Sequence, residues 1–356
     1  MLKSEVFVIS KDSSSYLKKY WKNLIFILAV LGLTFYFAID LEDIKNLPRI
    51  LGRVNKIYLL LAFFTMLAFF FVQAFVIKKL LYSLGYSVSS KATYKYTLID
   101  YFFSQITPGA SGGQPAEIYF MKRDGIALGD SSLTMLIFNG FYHLAVVFVV
   151  FLTGFGRIKE ILGHSPVFYR LFVFGICVQV ILAIGFFFLI FSKSLVYKLF
   201  SGIFKVLEFF NYKKLDAFKK KVSKVLDEYK EGAAWIKANK LAVLKLFPLV
   251  IIHLGLYYSM SYWILKAFGI GNLGFFQMIA YQGVFTMTFE SLPLPGGVGL
   301  AEAGFLNIFT RIYPGEILPA AMLLTRGVSY YLFIIIGCLV TFFSKAQPVE
   351  KRLTSK

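Results

Sequence analysis

Two glutamates and one arginine have types and positions that could do chemistry in apolar surroundings. Glu117 and Glu302 each come shortly after a Gly-Gly pair and directly after an alanine, and Arg326 lies inside a later apolar run. A carboxylate facing a polar cavity could hold a cationic group or a proton. An arginine can pair with carboxylates or phosphates through its planar set of donors.

Both glutamates close a break in apolar sequence. One break runs from Thr107 to Glu117 and the other from Leu292 to Glu302, and each holds prolines and a Gly-Gly pair. Glycine and proline disrupt helical hydrogen bonding. Within a lipid core, such irregular backbone persists only if it is buried in protein or lines a wet cavity. Matching breaks in two halves of a chain predict a substrate path near the membrane midplane.

Helix capping is an equally weighted alternative for these glutamates. Pro115 and Glu117 fit the first and third positions of a half-helix, where proline is tolerated and a carboxylate complements the helix dipole. Glu302 has the same two interpretations, functional or capping. That the feature occurs in both halves favours the functional interpretation modestly.

A third glutamate and the arginine add charge near the second break. Glu290 precedes that break at the end of a half-helix, where a carboxylate opposes the dipole and requires a cationic partner. Arg326 could pair with Glu290, with Glu302 or with a lipid phosphate. A charge at mid-membrane costs about 2.5–3.5 kcal/mol on insertion scales, so it usually faces a cavity or a partner. A purely structural ion pair is the alternative interpretation of Arg326.

Composition predicts an all-α polytopic membrane protein. Hydrophobic residues make up 58% and charged residues 16%, against about 25% charge in soluble domains. The formal net charge is +19, but the basic residues sit between apolar runs, which argues for membrane orientation rather than nucleic-acid binding. Cys177, Cys338, His143 and His253 lie in apolar runs without ligand spacing. We therefore expect packing roles for them and no metal or other cofactor.

The apolar runs predict about six transmembrane helices. They cover residues 23–39, 57–77, 133–154, 167–191, 241–268 and 319–343. The segment 192–240 holds twelve lysines and five acidic residues, an excess typical of the cytoplasmic side. Both termini carry basic residues and are expected on that same side of a cell membrane.

The number of membrane crossings then constrains the two interrupted stretches. Residues 93–120 begin and end inside and residues 273–313 begin and end outside, so each crosses an even number of times. Two re-entrant hairpins in an inverted repeat satisfy this, although 273–313 is long enough to cross twice. The predicted organisation is a first repeat (1–191), a basic linker (192–240), a second repeat (241–345) and a tail (346–356).

The linker contains a basic amphipathic pattern. Its apolar positions recur at spacings of three and four, with lysines between them: Leu215, Phe218, Val222, Val225 and Tyr229. Such a helix could lie on the anionic inner leaflet. Packing on the cytoplasmic ends of the spans is an equally good alternative.

The two breaks and the later segment Leu324-Thr-Arg-Gly-Val-Ser-Tyr330 resemble the membrane region of lysylphosphatidylglycerol synthase/flippase proteins over essentially the whole chain. That resemblance implies movement of aminoacylated phosphatidylglycerol between leaflets. Matched residue by residue, it singles out Pro108, Gly109, Gly112, Gly113, Glu117, Pro293, Pro295, Gly296, Gly297, Glu302 and Arg326.

Three hypotheses for the function follow. The first is a flippase-like translocator of phospholipid. The second is a phosphatidylglycerol lysyltransferase, or its membrane half; the full-length relatives carry a separate soluble transferase domain, and we expect none here, since the sequence ends soon after the last apolar run. The third is a membrane scaffold or regulator. The lipid, the energy source and a homo-oligomeric state stay open.

Overall fold

The computed structural model describes residues 48–192, 215–290 and 299–349, together with isolated positions in 196–208, residues 292, 297 and 351. Its described helices, in chain order, are α1 (Lys56–Ser83), α2 (Ser90–Ile106), α3 (Gly113–Arg123), α4 (Leu128–Gly154), α5 (Ile158–Leu162), α6 (Pro166–Phe191), α7 (Leu215–Ala238), α8 (Lys240–Leu244), α9 (Phe247–Ala267), α10 (Phe275–Phe285), α11 (Leu300–Ile308), α12 (Leu318–Arg326) and α13 (Leu332–Phe343). The protein is an all-α polytopic membrane protein.

Five helical segments of the described chain are long and apolar enough to cross a membrane. They are Lys56–Ser83, Leu128–Leu162, Pro166–Phe191, Lys240–Ala267 and Leu318–Phe343. These coincide with five of the six predicted spans; the sixth, 23–39, lies outside the described residues. Local sequence sets their starts: the side chain of Asn55 accepts a hydrogen bond from the Ile57 amide at 3.0 Å, a standard N-cap.

Contacts at the helix ends define two sides of the bundle. At the tail end, the Val349 amide donates to the Asp124 carbonyl at 2.7 Å and Tyr229 donates to the Leu189 carbonyl at 2.6 Å. At the opposite end, the Asn55 amide donates to the Ala267 carbonyl at 2.9 Å. The ends of α3, α6 and α13 and the start of α4 therefore lie on one side, as the charge pattern predicts.

Each interrupted stretch forms a helical hairpin, and the two enter from opposite ends. The first hairpin (α2, the turn 107–112 and α3) begins and ends at the tail end, where Lys95 pairs with Asp124 at 2.5 Å. The second (α10, the segment 286–299 and α11) begins and ends at the opposite end, where Arg311 bonds the Glu160 carbonyl. With 11 and 9 residues, α3 and α11 are too short to cross a bilayer, which favours re-entrance.

Helix packing is exchanged between the halves. The central contact pairs α1 with α9; α2 of the first hairpin packs against α13, and α10 of the second packs against α4. An inverted repeat requires this reciprocal pattern. The boundaries of the repeats and linker stay predictions, because several of the corresponding contacts would involve residues 1–47.

The basic helix α7 buries its apolar face. Val222, Leu226 and Tyr229 are buried, and the helix approaches α4 so closely that a Cβ atom at Gly129 would lie 2.6 Å from the Tyr229 amide nitrogen. This matches the packing alternative for the linker. Its lysine-bearing face stays available as the predicted contact with anionic lipid.

Candidate functional site

A buried ion pair occupies the start of α11 in the second hairpin. Arg326 Nη2 lies 2.7 Å and Nε 2.8 Å from Oε1 of Glu302. The Glu302 side chain is 3% exposed and that of Arg326 13% exposed. Of the three partners that the sequence left open for Arg326, the structure brings Glu302 to it.

Local backbone geometry presents the glutamate to the arginine. Gly297 and Gly299 have φ angles of +66° and +85°, which glycine adopts without strain. The Gly299 amide donates to Oε2 of Glu302 at 2.6 Å, so this carboxylate caps α11 through one oxygen and binds the arginine through the other. Capping and ion pairing therefore occur together in one side chain.

The ion pair adjoins an irregular turn of the last span. Arg326 lies over the ring of Tyr330 at 4.8 Å, and residues Gly327–Tyr331 form a π-helical turn. Single π-helical turns inside α-helices are frequent at functional sites. Tyr101 of α2 donates to the Ser329 carbonyl in this turn, so the last span touches both hairpins.

The turn of the first hairpin is closed by Thr107. Its hydroxyl donates to the Phe103 carbonyl at 2.7 Å and accepts from the Gly112 amide at 2.8 Å. Gly109 and Ala110 have φ angles of +59° and +55°, and a Cβ atom at Gly112 would lie 2.6 Å from the Thr107 methyl carbon. The glycines of this motif therefore serve a tight turn between two packed helices.

Glu117 corrects the capping interpretation of the first break. The helix begins at Gly113, two residues earlier than expected, so Pro115 and Glu117 are its third and fifth residues. Glu117 is fully buried, and among the described residues neither of its oxygens has a hydrogen-bond partner. It therefore caps nothing and, unlike Glu302, has no ion-pair partner there.

Three of the predicted positions lie outside the described residues: Pro293, Pro295 and Gly296. Glu290 ends the π-helical turn Thr286–Glu290, and its side chain is likewise outside the description. Whether it contributes to the site stays a prediction.

Asp100 is a site residue that sequence reasoning missed. Gln73 of α1 donates to its Oδ2 at 3.3 Å, and Asp100 acts electrostatically on Glu117. The available signal was an acidic residue within the run Thr97-Leu-Ile-Asp-Tyr-Phe-Phe103, since charges in membrane segments are rare and usually functional.

Each of the two histidines in the apolar runs contacts a polar group of a neighbouring helix. His143 Nδ1 lies 2.5 Å from the Gln179 amide oxygen, and His253 Nδ1 lies 2.9 Å from the Phe69 carbonyl oxygen. Across the part of the chain that the structure describes, no three His, Cys, Asp or Glu side chains group as metal ligands. The site is thus built from carboxylates, an arginine and glycine-rich backbone.

Comparison with known proteins identifies the family of this chain. The family described as "Lysylphosphatidylglycerol synthase TM region" matches residues 24–337. A UPF0104 membrane protein of Archaeoglobus fulgidus is 24% identical over 324 residues, 86% of this chain and 92% of the relative. Another from Methanocaldococcus jannaschii is 24% identical over 353 residues, 93% and 95% of the two chains.

Proposed function

Since this chain belongs to the lysylphosphatidylglycerol synthase TM-region family, we propose that it is a flippase-like translocator of phospholipid, with aminoacylated phosphatidylglycerol as the candidate substrate. The observation behind this proposal is the buried Glu302–Arg326 pair beside the π-helical turn. A headgroup crossing the apolar core loses its hydration, and each unpaired polar group costs several kcal/mol, about 2–7 by transfer measurements.

Inside the membrane, the ion pair can replace the water that a lipid headgroup loses. Arg326 lies eight residues into the last span, about 12 Å along its axis from Leu318. In the proposed cycle, the lipid phosphate takes the guanidinium of Arg326, and an amino group on the headgroup takes the carboxylate of Glu302 that is thereby released. An aminoacylated phosphatidylglycerol carries both groups, which is why it fits this pair better than a purely anionic lipid.

The hairpins supply the remaining parts of the proposed path. The first tip holds the non-helical residues Gly109 and Ala110, and irregular backbone within a membrane suits the lining of a cavity. The last span touches both hairpins through Glu302 and Ser329. A movement of its π-helical turn would therefore act on both hairpins, which enter the membrane from opposite sides. We assign the basic tail end to the cytoplasm on the charge pattern.

The test measures leaflet exchange of fluorescently labelled phosphatidylglycerol and its lysylated form in proteoliposomes. The double variant E302Q/R326Q removes both charges without stranding either one, and we expect it to be folded and to lose exchange. The matched control is D227N/K230Q, which removes an exposed pair on α7 with a 3.0 Å separation. Normal exchange by a folded E302Q/R326Q protein would remove the pair from the path.

The same preparation tests the transferase alternative. After incubation with lysyl-tRNA and phosphatidylglycerol, the lipids are extracted and analysed for the lysylated product. Formation of that product by the purified chain, with E302Q/R326Q exchange unaffected, would replace the translocator proposal by the enzymatic one.

A further inference from the structure

The first hairpin contains a polar seam that the proposed lipid path does not use. Asp100 and Ser104 lie one turn apart on α2, and Gly113 and Glu117 lie one turn apart on α3. A Cβ atom at Gly113 would lie 2.0 Å from the Ser104 hydroxyl and 2.5 Å from Asp100 Oδ1. The two helices therefore meet along these residues, and the seam has no room for a further methyl group at this point.

Among the described residues, Glu117 lies in this seam without a hydrogen bond or an opposite charge. Its side chain is 0% exposed, and within the described ranges neither carboxyl oxygen accepts a hydrogen bond. Asp100 is its acidic neighbour and acts on it electrostatically. Two ionised carboxylates in one apolar site repel each other, and an isolated buried carboxylate is strongly disfavoured.

Two cations of the hairpin, Lys95 and Arg123, are paired with Asp124. Lys95 lies 2.5 Å from Asp124, and Arg123 lies 3.6 Å from the same carboxylate while also donating to Ser344. In the described chain, none of the ion pairs includes Asp100 or Glu117. Among the described residues, therefore, no cation balances the two carboxyl groups of the seam.

The described groups on the elements around the seam are mostly polar, and the cation Lys351 is paired with Asp130. Tyr96 of α2 faces Glu117 and donates to Asp124 at 2.7 Å. From α1, Gln73 donates to Asp100. On α4, Asp130 is bound by Tyr86 and Lys351, and α13 contributes Cys338, which lies among the aromatic residues of α2.

We propose that Asp100 and Glu117 form a proton-binding site that holds one proton between them and couples lipid movement to a proton gradient. A proton fits because the contacts at Gly113 leave no space for an ammonium or choline headgroup. Loading transfers a proton from a hydronium ion to a carboxylate oxygen of the pair and leaves water, and release reverses this step, so no electrons change hands. The coupling rests on the proposed lipid transport, whereas the proton site itself does not.

Occupancy of the site can be measured without transport. Infrared spectroscopy of the purified protein at neutral pH should show the C=O stretch of a protonated carboxylic acid. That band should vanish in E117Q and shift in frequency in D100N, where the buried Glu117 keeps its proton but loses its acidic neighbour. The control E231Q removes an exposed glutamate of α7 and should leave the band unchanged. Absence of the band in the wild type would overturn the proposal, as would its loss on adding Na⁺, which would indicate a sodium site instead.

Coupling is measured in proteoliposomes with an imposed pH difference. If one proton moves per lipid, a difference of about one pH unit shifts the leaflet ratio of the labelled lipid by up to about tenfold, since a factor of ten corresponds to about 1.4 kcal/mol. E117Q should exchange lipid but ignore the gradient. Exchange in the wild type that ignores the gradient would overturn coupling while lipid transport stands. A carboxyl band without any lipid exchange would leave the proton site and remove the proposed function.

Discussion

The two hairpins carry related sequence but treat their glutamates in opposite ways. In the second hairpin, Glu302 caps a helix and binds Arg326, which lies 24 residues later in the chain. In the first, Glu117 is buried with no partner among the described residues, and the position 24 residues after it is the buried, apolar Phe141. In both hairpins the second helix thus follows glycine-rich backbone, while the position of the glutamate in that helix and its charge balance differ between the halves.

This difference suggests a division of labour. A neutral ion pair can exchange partners with a zwitterionic headgroup, whereas an unpaired carboxylate can take up a proton without needing further space. Each hairpin touches the last span, the second through Arg326 and the first through Ser329. That span is therefore the element through which the two events could act on each other.

Breaking the ion pair should give the largest effect. E302Q or R326Q alone removes one partner of the pair in a low-dielectric site, and we expect each to destabilise the protein by about 3–5 kcal/mol, as for other buried pairs. The double variant should recover most of that loss. Thermal unfolding in detergent of all four proteins measures the coupling, and purely additive single effects would show that the pair is not energetically linked.

Tightening the seam of the first hairpin should give the next largest effect. Gly113→Ala places a methyl group against Ser104 and Asp100, and we expect a loss of about 1–3 kcal/mol from overpacking. The matched control is Gly255→Ala on α9, where a Cβ atom meets nothing within 4 Å. That control should be neutral or stabilising. Equal stability of the two variants would contradict the close contact between α2 and α3.

The same substitution at the two glutamates should change the stability of the protein in opposite directions. Glu117→Met replaces an unpartnered buried carboxyl by an apolar side chain of similar shape, so we expect a gain of roughly 2 kcal/mol. Glu302→Met should destabilise, because it removes the carboxylate that Arg326 binds in the buried pair. The melting temperatures of both variants are compared with the wild type. A fall in both would show that Glu117 has a stabilising partner that the described contacts do not include.

The sequence predicted the parts of this fold that local physics determines. Apolar length located the five described spans, and glycine, proline and charge parity located the hairpins and their opposite entry. The Glu302–Arg326 pair was among the candidates because both charges stood out in apolar sequence. Asp100 gave the same kind of signal but matched no repeated motif, so it was missed.

What sequence could not provide depends on contacts between distant residues. The uncompensated state of Glu117 follows from the packing of α2 on α3 and from Lys95 and Arg123 being taken by Asp124. The π-helical turn Gly327–Tyr331 has no distinguishing local pattern. The docking of the tail joins Gln347 to Asp124 across 223 positions, a separation at which neither periodicity nor turn chemistry is informative.

The contacts at the base of each hairpin, where it begins and ends, also differ. Disrupting them should give the smallest change in stability. The second hairpin is anchored by Arg311 on the carbonyl of Glu160, whereas the first is anchored by the buried carboxylate of Asp124. Burial alone would raise the pKa of Asp124. Hydrogen bonds from Lys95, Tyr96 and the Gln347 amide, together with the charge of Lys95, outweigh it and hold the pKa below the ordinary 3.8.

Because the folded pKa of Asp124 lies below the unfolded one, its contribution is complete above about pH 4 and is lost as the pH falls through the folded value. Asp124 lies at the end of the bundle, and an asparagine oxygen there can still accept hydrogen bonds from Lys95 and Tyr96. We therefore expect D124N to destabilise the protein by only about 1.5 kcal/mol at pH 7, a typical value for a charge-assisted hydrogen bond. The difference in melting temperature between D124N and the wild type should shrink as the pH falls below 4. Asp227→Asn, at an exposed position on α7, serves as the control and should show little difference at neutral pH. If the stability deficit of D124N persisted unchanged into acid, the charge of Asp124 would not be what holds the base of the first hairpin. Packing would hold it instead, and the two bases would still differ, since Arg311 on a backbone carbonyl anchors the second.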